Sequence, residues 1–267
     1  MMSARARQEQ APEPYQGIRF SFAHMEKEIR NMRSLARPFL EREDPSWGPI
    51  DEWLIALNNI KDSPTLQAVP WGIDERNPIR TRISQNGYER GDRKCRFKEV
   101  RGELSCVWEI RKEDSRDRRF FILEGQASTK LKVLDVSQGP RGTLLAQWQF
   151  EVGDHQSPGC HFHVGILQCN ESGPFPKGLS VPRLPGILVT PMDALEYLLG
   201  EIFQDEWEGH AVKDRDDVLL WAGCQKRRLG GLLQWYRERI ENSGGSPWTF
   251  LKTSRPKIGI FTDEGKG

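Results

Sequence analysis

The feature that most constrains this chain is alternation. In Glu103-Leu104-Ser105-Cys106-Val107-Trp108-Glu109-Ile110-Arg111, the residues Leu104, Cys106, Trp108 and Ile110 fall on one face of an extended backbone. Side chains that reverse at every residue mark a strand, and a single apolar face marks a half-buried one. The same period runs through 120–126. In 129–136 it sets Leu131 and Val133 against Lys130 and Lys132. In 144–152 it sets Trp148, Phe150 and Val152 against Gln147, Gln149 and Glu151. Polar or Gly- and Pro-containing segments at 113–117, 137–142 and 153–159 separate these runs and read as turns. Residues 95–101 are expected to pair back on 103–111 through Gly102.

Helical spacing flanks this region on both sides. Over 20–42, Phe22, Met25, Ile29, Met32, Leu35, Phe39 and Leu40 form a stripe, and over 50–60 Trp53, Leu54, Leu57 and Ile60 form another. Residues 62–92, rich in Pro, Gly and Asn, read as a long connection with a short strand at 79–83. Later, Thr190-Pro191-Met192-Asp193 is a helix start: hydroxyl cap, proline in the first turn, acid at the third position. That helix turns Leu195, Leu198, Leu199, Ile202 and Phe203 inward and ends near Gly209. A last helix over 216–241 carries Leu219, Leu220, Leu229, Leu232, Leu233, Tyr236 and Ile240, with Gly230-Gly231 as a weak point.

Strands gathered in the middle and helices gathered at the ends, with no βαβ alternation, imply an α+β fold. The expectation is an antiparallel meander of about six strands over 94–168, with helices from both chain ends packed on it. The domain reading is a disordered leader over 1–15, one α+β domain over 16–242 (helices 20–60, sheet 94–168, helices 190–241), and a loose tail over 243–267.

Composition bounds the function. Lys and Arg number 39 against 38 Asp and Glu, a net charge of +1, which argues against a protein that coats nucleic acid. Basic clusters at 116–119 and 226–228 leave a nucleic-acid partner open. Five cysteines, with no Cys-x-x-Cys pair, fit reduced thiols and a cytoplasmic protein better than a disulfide framework. No apolar run approaches the roughly 20 residues a membrane span needs.

Three of the five histidines stand in Gly153-Asp154-His155-Gln156-Ser157-Pro158-Gly159-Cys160-His161-Phe162-His163. On a strand, His161 and His163 project to one side, and Cys160 and Phe162 to the other. If 144–152 is the hairpin partner, Gln149 or Glu151 lies beside the two imidazoles, with His155 in the connecting loop. Two imidazoles and an oxygen ligand suit one divalent metal, Zn, Mn or Mg. Glu151 and His155 are then candidates to complete the shell or act as base. The competing reading makes both histidines structural groups at the edge of the core.

His161-Phe162-His163 resembles the His-hydrophobe-His motif of the HUH endonucleases, the replication initiators and relaxases, over these three positions and their strand context. The resemblance implies metal binding by His161 and His163 and a tyrosine nucleophile on a following helix, commonly with a lysine one turn later. Tyr197 is the candidate, but Glu201 stands where the lysine belongs; for Tyr236 the corresponding residue is Ile240. The cupin motif also opens His-x-His, but its later strand histidine is missing. Glu206, Glu208 and His210 make a further cluster near a helix end, which reads as a solvated face. Cys95, Cys106, Cys160 and Cys169 lack zinc-ligand spacing. No phosphate-binding Gly-Lys-Ser/Thr loop, Gly-x-Ser-x-Gly elbow or His-Glu-x-x-His occurs.

Two functions follow. One is an accessory or interaction subunit with a protein partner and no complete catalytic constellation. The alternative is a metal-dependent phosphodiesterase or nuclease built on the His-x-His strand.

Overall fold

The structure is a computed structural model of the chain. It describes residues 18–41, 48–84, 99–114, 116, 118–153, 159–165, 184–213 and 215–254. The elements run β1 (Ile18–Ser21), α1 (Phe22–Ala36), a 3-10 turn (Arg37–Phe39), α2 (Pro49–Asp62), β2 (Val69–Ile73), β3 (Ile79–Arg80), β4 (Val100–Lys112) and β5 (Phe120–Asp135). They continue with β6 (Thr143–Val152), β7 (Cys160–Gly165), β8 (Leu184–Pro185), α3 (Pro191–Phe203), α4 (Asp205–Ala211), α5 (Asp216–Glu241) and α6 (Pro247–Thr253).

The expected α+β architecture is what the chain adopts. One open antiparallel sheet runs in the order β2-β4-β5-β6-β7-β8, with β1 on β5 and β3 on β4. Consecutive strands β4 to β7 are neighbours, so the centre of the sheet is the meander the alternation implies. Leu104, Cys106, Trp108 and Ile110 are all buried, as are their β5 partners Leu131, Thr129, Ala127 and Leu123. This face packs under the helices. Trp71 on β2 stacks on Trp53 of α2, with ring centroids 4.4 Å apart, and donates its indole N–H to the Trp53 carbonyl. The opposite face is polar: Glu103, Lys130, Lys132 and Gln149 lie there.

Several details differ from the sequence expectation. Residues 18–21 form a strand before α1, and Ser21 caps the helix by accepting from the His24 amide. Strand β2 falls inside the segment read as a connection. It is an edge strand, where Pro70 needs no N–H. Its Gly72 has a packing role, because a Cβ there would lie 1.9 Å from the Cys106 carbonyl oxygen. Gly102 makes no hairpin; β4 runs straight through it. A Cβ at Gly102 would come within 2.5 Å of Ile202 Cδ1, so the glycine lets α3 approach the sheet. The runs at 120–126 and 129–136 are one strand, with the register shifting opposite Trp108 and Ile110. Gly125 at that bulge lies against the Glu109 side chain.

The capping box at Thr190 and Asp193 is formed as expected. The helix it starts stops at Phe203, because Gln204 takes φ 45 and ψ −117, and α4 begins anew. α5 continues unbroken through Gly230 and Gly231, but its buried face is Trp221, Cys224, Arg228, Leu232 and Trp235. Leu219, Leu220, Leu233 and Ile240 are exposed instead. Within the segment expected to be loose, 247–253 is helical.

Candidate metal centre

Strands β6 and β7 build the centre. Their register pairs Gln149 with His163, Phe150 with Phe162, and Glu151 with His161. Residues directly opposite in an antiparallel pair share a face. Glu151, His161 and His163 therefore meet on the polar face, and Phe150 and Phe162 point to the helices. The turn between the strands leaves β6 through Gly153, whose φ of 95 is left-handed and whose Cβ position lies 2.7 Å from the Gly125 carbonyl oxygen. Only glycine fits both conditions without strain.

One carboxylate oxygen is the focus. Glu151 Oε2 lies 3.2 Å from His161 Nε2 and 3.0 Å from His163 Nε2. One ligand atom from each of the three side chains lies within 4.8 Å of the others, and this is the group of metal-ligating type among the described residues. The other carboxylate oxygen, Oε1, accepts from Gln149 Nε2 at 2.6 Å, and the same amide reaches Ser128 Oγ at 3.0 Å. Gln149 thus holds the carboxylate with Oε2 turned to the histidines. The hydrogen bond from His161 does most to keep the Glu151 carboxyl below the ordinary carboxylate range; burial opposes it and the charge of His163 assists.

His161 is buried, and its Nδ1 lies 3.1 Å from the Gly159 carbonyl oxygen. A carbonyl only accepts, so Nδ1 carries a hydrogen. The Nε2 atom then faces an ionised carboxylate. Its lone pair is the one turned toward the carboxylate, so a cation held there would be shared by Nε2 and Oε2. Metal-binding histidines commonly have this arrangement, with the distal nitrogen tied to a backbone carbonyl and the other free to ligate. The donor set of two imidazoles and one carboxylate fits a divalent transition metal with open coordination positions.

The remaining candidates lie elsewhere. His155 falls outside the described residues. Tyr197 sits on α3 with its ring edge-on to Trp148 and Phe150, at centroid distances of 5.9 and 6.4 Å, on the helix side of the sheet. The tyrosine and the two histidines therefore occupy opposite faces. His210 is 3.0 Å from the Leu35 carbonyl at the end of α1 and contacts Arg215, while Glu206 pairs with Arg82. These two stabilise helix ends and make no joint cluster. Cys106 and Cys160 are buried on the helix side and form no disulfide, and burial pushes the Cys106 thiol up to about 12. Sequence reasoning missed Gln149 as the group that orients Glu151, although its place opposite His163 follows from the hairpin register. It also missed Gly159 as the acceptor for His161.

No helix among the described residues is long and apolar enough to cross a membrane. Comparisons with protein-family profiles, with curated proteins and with solved structures gave no match to this chain, so the chemistry of the centre rests on its own donor set.

Proposed function

We propose that Glu151, His161 and His163 hold one divalent cation, Zn, Mn or Mg, and that the centre cleaves phosphodiesters. The observation that supports this is the convergence of three ligand atoms from two paired strands within 4.8 Å, with His161 Nε2 facing a carboxylate. An interaction platform, the other function considered, has no use for such a cluster. A bound metal of this kind supplies a Lewis acid for a phosphoryl oxygen and an activated water.

The chain's own groups do the rest. His161 and His163 present Nε2, Glu151 presents Oε2, and Gln149 keeps that carboxylate from turning. Lys130 lies directly across from Gln149, and Lys132 follows one row along, so both cations share the face of the centre. Each pairs with Glu75, which is half exposed and sits at the surface. A phosphate-bearing chain laid on this face meets cationic side chains beside the ligand cluster, and its negative charge is what they favour. Both described tyrosines, Tyr197 and Tyr236, approach the sheet from the helix side, so the reading is hydrolytic and uses no tyrosyl intermediate.

The test is elemental analysis of the purified chain, followed by cleavage assays on end-labelled single- and double-stranded oligonucleotides with Zn, Mn or Mg added. The expected result is about one metal per chain and metal-dependent cleavage that Glu151→Gln abolishes. No retained metal and no metal-dependent cleavage would return the protein to the interaction-platform reading.

A further inference from the structure

Strand β8 is only two residues long, and its partner opposite His161 is Pro185. Proline brings no N–H to the ladder, so β8 is held to β7 weakly at the position that matters for the centre. The next residue, Gly186, supplies what is missing. Its N–H donates to the Cys160 carbonyl at 3.0 Å, and its own carbonyl accepts from the Tyr236 hydroxyl of α5 at 2.7 Å. A Cβ at Gly186 would lie 3.2 Å from Phe162 Cδ1, so the backbone passes close over β7. A chain of two hydrogen bonds thus runs from a long helix to the backbone of Cys160.

Cys160 is the residue through which the centre feels this. The Cys160 carbonyl that Gly186 holds shares a planar peptide unit with the His161 N–H, and one unit back along the chain is the Gly159 carbonyl. That carbonyl is the acceptor for His161 Nδ1. Holding the Cys160 carbonyl therefore holds the backbone from which the His161 ring projects, next to the Gly159 oxygen that sets its tautomer. The Tyr236 hydroxyl also contacts the Cys160 side chain, and burial, with Cys160 adding to it, raises its pKa, so it stays a neutral donor.

We infer that Tyr236 is a positioning residue for the metal centre, acting through Gly186 and the Cys160 carbonyl to hold the peptide unit that carries His161. This rests on the reading of Glu151, His161 and His163 as metal ligands. The role differs from the nucleophile that its sequence context brings to mind: the hydroxyl lies on the helix side of β7, with its hydrogen given to Gly186.

The experiment is Tyr236→Phe in the full chain, which keeps the ring and deletes only the hydroxyl. Zinc affinity is measured by calorimetric titration, and amide hydrogen exchange at Gly186 by NMR. The control is Ser21→Ala, which removes the α1 cap far from the centre and lowers stability in general. Expected are a zinc affinity weakened by about tenfold or more and faster exchange at Gly186 in Tyr236→Phe, with both unchanged in Ser21→Ala. Zinc affinity equal to wild type would overturn the inference, as would an equal loss in the control. If wild type itself binds no zinc, the metal reading fails and the positioning role is overturned with it, whatever the exchange at Gly186; a wild type that binds zinc with a Tyr236→Phe variant that binds it equally overturns the positioning role alone.

Discussion

The two histidines make a sharp prediction, because the structure gives them the same ligand role and different structural roles. His161 is 3% exposed and bridges Gly159 and Glu151. Truncation to Ala leaves the Gly159 carbonyl without its donor, a cost of about 1–3 kcal/mol. Glu151 keeps His163 and Gln149, so no charge is stranded. The side chain of His163 is 22% exposed and meets the same carboxylate. Its loss should cost less than about 1 kcal/mol, as for other partly solvated polar contacts. Metal binding to the folded state adds RT ln(1 + [M]/Kd), about 2.7 kcal/mol when free metal is 100 times Kd. At roughly 2–4 °C per kcal/mol for a chain of this size, that is a rise in Tm of about 5–10 °C. The assay is thermal unfolding of wild type, His161→Ala and His163→Ala, each with chelator and with zinc. Wild type should show the metal-dependent rise. Both variants should lose it, while only His161→Ala melts clearly lower in chelator. A wild type indifferent to metal, or a His163→Ala variant that keeps the whole rise, would refute the assignment.

Three further outcomes are expected. Trp108→Ala should destabilise by about 3–5 kcal/mol, since Trp108 is 1% exposed and packs on Phe20 and Trp71; an unchanged urea midpoint would contradict its place in the core. Thr190→Ala should cost about 1 kcal/mol by removing the capping box of α3, measured in the same way. Burial pushes the Glu28 carboxyl from 4.5 up to about 7, with Arg228 opposing and Asp193 assisting. The folded state then binds the proton more tightly than the unfolded one, so this group's contribution to stability falls as pH rises from 4.5 to about 7 and is flat above. Glu28→Gln should remove that slope from the variant's own curve, so that the difference between wild-type and variant stability falls from pH 4.5 to about 7; parallel curves across the window would contradict it.

How much of this was written in the sequence depends on whether the signal was local. Period-two alternation located β4, β5, β6 and β7, because a half-buried strand must alternate and each burial face is recorded residue by residue. The Thr190 cap and the stripes of α1, α2 and α3 were equally legible. From the hairpin alone, Gln149 or Glu151 could be placed beside His161 and His163, and the register then sets Glu151 opposite His161 and Gln149 opposite His163. What stayed hidden depended on contacts distant in sequence. Gly72 and Gly102 look like turn residues, yet they are where Cys106 and Ile202 come too close for a side chain. The buried face of α5 escaped because it contains Arg228, a charge that is buried only by virtue of Glu28 on α1 and Asp193 on α3. Its exposed leucines read as core for the same reason: hydrophobicity is a property of the residue, and burial is a property of the neighbours. The orientation of the centre belongs to the tertiary structure as well. Which face of the sheet the helices cover decides that Tyr197 and Tyr236 stand behind the histidines, and which nitrogen of His161 is free is decided by the Gly159 carbonyl. Alternation fixes which side chains share a face and which face is apolar, but only packing decides which elements lie against it.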